Sequence, residues 1–261
     1  MGRDGKDHSG AVKKILVEVC CGSADDVIEA YHAGADRVEL NSNLFHGGLT
    51  PTLGSLLVAK RETGMKIMTM VRPREGGFRY TDAEFAVAVE DAKQLLAHGS
   101  DGLVFGFLQE DGTVDARRTA VLADMARSAG KEAVFHRAID VVPDWKAALD
   151  RLIGLGITRV LTSGQEPDVF YGLETVREMI EYAAGRIEIL PGAGITAKNY
   201  RRVVEETGTT QIHIAAHRRM TDTSTANNRA IYYGGCLYPP EDRFQIIDRG
   251  YIAGVVKGLE E

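Results

Sequence analysis

Short apolar runs alternate along this chain with longer amphipathic stretches, and a glycine marks most of the passages from the second to the first. Gly34-Ala-Asp36-Arg-Val38, Gly99-Ser-Asp101-Gly-Leu103, Gly156-Ile-Thr158-Arg-Val160 and Gly208-Thr-Thr210-Gln-Ile212 each read as a helix-terminating glycine, a small polar connector and an aliphatic strand. Shorter junctions at Gly64, Gly130 and Gly185 fall between them, so the pattern is an internal repeat of strand and helix. It predicts eight strands, over residues 14–20, 37–41, 66–72, 102–108, 132–138, 159–163, 188–191 and 211–216. Eight βα units predict a single (β/α)8 TIM barrel, an α/β fold, rather than an open sheet.

The connections are lopsided. Helix-to-strand passages are short, whereas strand-to-helix passages are long and polar, with helix starts at Thr50-Pro51, Thr81-Asp-Ala-Glu84, Asp115, Asp144 and Thr196. One rim is therefore structural and the other a binding face. A last helix over residues 243–259 is expected to close the ring. Residues 220–240, rich in Thr, Asn, Tyr and Gly, are open to reading as a lid, an interface arm or a plain loop.

Alternation within strands selects the interior side chains. Val17 and Val19 suit the helix side, which turns Glu18 and Cys20 inward; the same test turns in Glu39, Asn41, Met70, Arg72, His136 and His213. Two accounts fit so polar an interior: a buried ion-pair layer that fixes register, or a site. As a site, Glu18 and His136 form the expected proton-transfer pair, with Asp140 a third catalytic candidate at the end of strand five. Small anions are expected at Arg72, Arg74 and Arg137, whose guanidiniums bind carboxylate or phosphate bidentately. Glu39, Ser163 and His213 complete the substrate set, and Gly192 and Gly194 open a turn before a helix N-terminus, a second anion cradle.

Composition narrows the classes. Of 261 residues, 44% are hydrophobic and 26% charged, and no apolar run reaches the length of a membrane span, so a soluble protein is expected. A formal net charge of −6 argues against nucleic acid as a partner. Three cysteines, Cys20 and Cys21 adjacent, form no disulfide framework and suit a reducing cytoplasm. Residues 1–13, polar and without an apolar core, read as a disordered tail and residues 14–261 as one barrel domain. A homo-oligomer is compatible with all of this. Cys20 and Cys21 are soft metal ligands with Met70 a third candidate, and no spaced Cys/His set accompanies them.

Several of these stretches together resemble the CutC family of copper homeostasis proteins. They are Glu18-Val-Cys20-Cys21, Gly34 to Leu40, Gly47-Gly48-Leu-Thr-Pro51, Val71-Arg72-Pro-Arg74, Gly76 to Tyr80, Phe135 to Ala138 with Asp140, Arg159 to Gly164 and Gly192 to Ile195. The resemblance implies a cytoplasmic (β/α)8 barrel tied to copper tolerance, with copper(I) as the ion bound. Where many members end strand two in Glu-Leu-Cys, this chain has Glu39-Leu40-Asn41, so a two-thiol copper site is not carried over and weak binding at Cys20, with Cys21 the other candidate, is expected. A metal-independent enzyme acting on a small anionic substrate is the reading from the residues alone.

Overall fold

The computed structural model describes residues 15–235 and 238–260. The tail expected over residues 1–13 lies outside the described residues. Strand and helix alternate in the order β1 (Leu16–Cys21), α1 (Ala24–His32), β2 (Arg37–Leu40), α2 (Leu53–Glu62), β3 (Ile67–Met70), α3 (Asp82–Ala97), β4 (Gly102–Phe105) and α4 (Ala116–Ser128). They continue as β5 (Glu132–Phe135), α5 (Trp145–Gly154), β6 (Arg159–Thr162), α6 (Leu173–Ala183), β7 (Glu188–Pro191), α7 (Tyr200–Thr207) and β8 (Gln211–Ile214). Every neighbouring pair in the order β7-β6-β5-β4-β3-β2-β1-β8 is parallel, and β7 packs against β8, which leaves a nearly closed barrel with helices outside. The expected (β/α)8 fold is the observed one. Most strands are shorter than the apolar runs suggested, because the polar ends leave the ladder to form the loops of the upper rim.

Caps set the helix starts. Asp144 and Asp115 accept backbone N–H bonds at the heads of α5 and α4, and Thr81 with Glu84 forms a reciprocal capping box at α3. Two starts differ from expectation: Thr52, not Thr50, caps α2, and α7 begins at Tyr200 rather than at Thr196. The segment at 243–247 is a strand, not the head of the last helix. Here β10 (Arg243–Ile247) pairs antiparallel with β9 (His217–Thr221), and α8 (Arg249–Glu260) follows. The hairpin is tied to the barrel where Ile247 N donates to Asp26 Oδ1 at 2.7 Å.

The main core lies between strands and helices, where Val17, Val19, Val38, Leu40, Ile67, Leu103, Phe105, Phe135 and Val160 are buried. Each such side chain stabilises the fold by about 1.5–3 kcal/mol. The barrel interior is different. Its lower layer is ionic: Glu18 pairs with Arg37, Arg37 Nη2 donates to Gln211 at 2.9 Å, and Gln211 Nε2 to Glu188 at 3.2 Å. Arg159 joins Glu188 at 2.7 Å to Glu132 at 2.8 Å. Met68, Met70, Val104 and Val134 form a small apolar cluster inside the barrel. Among the described residues no helix is long and apolar enough to cross a membrane.

Candidate metal and ligand site

A cavity of about 490 Å³ opens at the upper rim, lined among others by Cys20, Glu39, Met70, Arg72, His136 and His213. Strand alternation puts them there: Cys20 faces inward two residues beyond Glu18, and Glu39 pairs in register with Cys20. Cys20 Sγ lies 3.8 Å from Glu39 Oε2, and Asn41 Nδ2 donates to that oxygen at 2.9 Å and to Cys20 Sγ at 3.6 Å. Ligand atoms of Cys20, Glu39 and His213 all fall within 4.8 Å of one another.

Glu18 lies beneath this cluster and does not line the cavity. Burial works against its charge, yet the Arg37 guanidinium and the bond to His213 hold its carboxyl down at about 2. His213 Nδ1 stands 2.8 Å from Glu18 Oε1 and, facing an ionised carboxylate, must donate. Burial alone would push the imidazole down, but its bonds to Cys20 and Glu18 and the field of Glu39 hold it well above the usual histidine range. Burial raises both the Cys20 thiol and the Glu39 carboxyl. Cys21 faces the other way, fully buried in the core, where burial pushes its thiol well up; it is a packing residue and not a ligand.

His136 lines the cavity with no ring lone pair free to take a proton. Its Nδ1 receives the Ala138 N–H at 3.1 Å, so the remaining ring proton sits on Nε2, a buried atom with no partner among the described residues. Burial, reinforced by the Arg72 charge, drives its pKa down to about 3, and the imidazole is neutral. A Cβ at Gly106 would stand 2.4 Å from its Cε1, so the absence of a side chain there makes room for the ring. With Glu18 sealed below and His136 above, the expected proton-transfer pair is not assembled.

The expected anion ligands are committed to the protein. Arg72 donates to the carbonyls of His46, Gly48 and Gly76 at 2.9–3.0 Å, locking two rim loops. Arg74 binds Glu84 at 2.6 Å and the carbonyls of Glu75, Gly77 and Arg79. Asp140 accepts from Arg137 Nε and Ser163 Oγ at 2.8 Å, and Arg137 Nη2 donates to Ser163 Oγ at 2.7 Å. That triad ties the end of β5 to the end of β6, and Asp140 also accepts from Thr162 Oγ1 at 2.5 Å. At Gly194, where φ is +80°, the Asp168 carboxylate occupies the space a side chain would take, and a Cβ at Gly192 would meet His213. These glycines serve close packing, and a carboxylate over the turn repels an anion. Phe78 was not anticipated: its ring packs 4.8 Å from His136 and 5.5 Å from the Arg72 guanidinium, and an aromatic behind a glycine pair carries no signal of either contact.

Comparison with known proteins agrees with the resemblance. The model of the CutC family matches residues 15–218. A CutC family protein of Treponema denticola is 53% identical over 95% of this chain and 100% of its own length. The human copper homeostasis protein cutC homolog is 39% identical over 92% of this chain and 87% of its own. Among solved structures, the copper homeostasis protein CutC of Streptococcus agalactiae superposes with a TM-score of 0.72 at 36% identity, over 76% of this chain and 97% of that one. The barrel, the rim cavity and these relatives agree, and the chain belongs to the CutC family.

Proposed function

We propose that this protein handles copper in the cytoplasm and holds copper(I) weakly through Cys20 and His213 at the mouth of the barrel. The observation that carries the reading is the meeting of Cys20, Glu39 and His213 within 4.8 Å on one cavity wall. A thiolate and an imidazole are donors that copper(I) accepts, and the thioether of Met70 lines the same cavity. Relatives named for copper homeostasis support the cargo. Free thiols at Cys20 and Cys21 suit a reducing compartment.

Weakness follows from the donors. Asn41 offers an amide where a second thiol would complete a soft pair, Glu39 is a hard ligand, and the buried Cys20 thiol must give up its proton to bind. The competing account, acid/base chemistry on a small anion, lacks an assembled proton-transfer pair. Titration with copper(I) against a chromophoric competitor tests the proposal: wild-type protein should take one ion per chain weakly, and Cys20→Ser should abolish it. Stoichiometric binding that survives Cys20→Ser would remove the assignment to this site.

A further inference from the structure

The three donors that meet at the cavity wall differ in softness: one thiol, one imidazole and one carboxylate. Cys20 Sγ and Glu39 Oε2 are 3.8 Å apart. Bonds of about 2.3 Å to sulfur and about 2.1 Å to oxygen at a tetrahedral angle separate two ligands by about 3.6 Å, so this pair stands close to ligating distance before any ion arrives. We propose that Cys20, Glu39 and His213 form a site for a divalent ion of the zinc class, with a fourth position open to the cavity. The inference rests on reading this cluster as a metal site, and makes a separate claim about which ion its donors suit.

Charge and the hydrogen bonds that hold His213 and Glu39 favour the dication. A thiolate and a carboxylate carry two negative charges that a divalent ion neutralises, whereas copper(I) leaves one of them buried and uncompensated. Borderline ions accept sulfur, nitrogen and oxygen together; copper(I) gains little from a carboxylate. Glu18 accepts the Nδ1–H hydrogen bond of His213 at 2.8 Å, which fixes the ring and leaves its other nitrogen as the ligand once that nitrogen gives up its own proton to the incoming ion. Asn41 holds Glu39 in the same manner through the 2.9 Å bond to Oε2. The lower ionic layer, through Arg37 and Glu18, thus orients a ligand of the upper one.

The position left open faces a space suited to a small exchangeable ligand. Arg72 and His136 line the same cavity, the first with no carboxylate at ion-pair distance among the described residues, the second with an unpartnered Nε2 proton. Three protein ligands beside a cavity is the arrangement of an exchangeable site, not of a closed structural one. Water is the ligand that such walls would admit.

Cobalt(II) reports the geometry directly. The full chain, kept reduced and stripped of metal with a chelator, is titrated with cobalt(II) and then zinc(II). The expected result is one cobalt per chain, with a thiolate-to-cobalt charge-transfer band and the intense visible bands of four-coordination, both lost when zinc displaces it. Glu39→Gln should weaken zinc binding about tenfold or more. The proposal is overturned if the wild type retains neither divalent ion at stoichiometry, if the charge-transfer band is missing, or if Glu39→Gln binds zinc as the wild type does. Should Glu39→Gln not fold, the wild-type cobalt spectrum decides alone. Copper(I) titration of the same samples separates the two readings. Copper held through Cys20 without zinc refutes this proposal only, and zinc without copper upholds it and refutes copper(I) binding.

Discussion

Glu18 Oε1 and His213 Nδ1, from neighbouring strands of the barrel, lie 2.8 Å apart, and through this contact the ionic layer of the barrel floor reaches the donor cluster of the rim. The same carboxylate pairs with the fully buried Arg37. Removing it would strand a guanidinium and leave an imidazole without its orienting partner. Glu18→Ala is expected to cost about 3–5 kcal/mol in chemical denaturation, the usual cost of breaking a buried pair from one side. A loss below 1 kcal/mol would mean that the layer does not support the fold.

His136 gives the protein a dependence on acid. The folded pKa of about 3 lies below the unfolded value of 6.5, so between them the unfolded chain binds the extra proton. The stability contributed is complete above about 6.5 and falls, as pH drops, by about 1.4 kcal/mol per pH unit. Glu39, raised by burial, works in the opposite direction over part of that range, so the comparison must be between wild type and His136→Gln. The difference in their stabilities should shrink steadily from pH 6.5 to pH 4.5; a constant difference would contradict a neutral buried imidazole.

How far the sequence exposed this arrangement can be judged residue by residue. Period-two alternation placed Glu18, Cys20, Glu39 and His213 inside the barrel, and the glycine junctions divided the chain into its eight units. Depth was not legible, because alternation tells faces and not layers. Glu18 and Cys20 share a face, yet one pairs with Arg37 below and the other reaches the cavity. Arg37 reads as the first residue of strand two and not among the side chains turned inward, so its burial against Glu18 left no trace in the pattern. The bonds that commit Arg72 end on backbone carbonyls, which every sequence supplies equally. The hairpin of β9 and β10 joins segments separated by a long loop, and local periodicity cannot pair them.

Arg72 is expected to act as a structural clamp and not as an anion ligand. Arg72→Lys keeps the charge but cannot reach three carbonyls with a planar fork, so it should cost about 2 kcal/mol. Inorganic phosphate should leave the melting temperature of the wild type unchanged, as mass action requires when nothing binds. A phosphate-dependent rise that disappears in Arg72→Lys would return the guanidinium to a binding role.

The central claim, that copper(I) is held by Cys20 with His213, is tested most directly by X-ray absorption at the copper edge on reduced, copper(I)-loaded protein. The account predicts one sulfur and one imidazole nitrogen around the ion in the wild type, and no copper retained by Cys20→Ser. A copper environment of nitrogen and oxygen alone, or a sulfur neighbour that persists in Cys20→Ser, would contradict it.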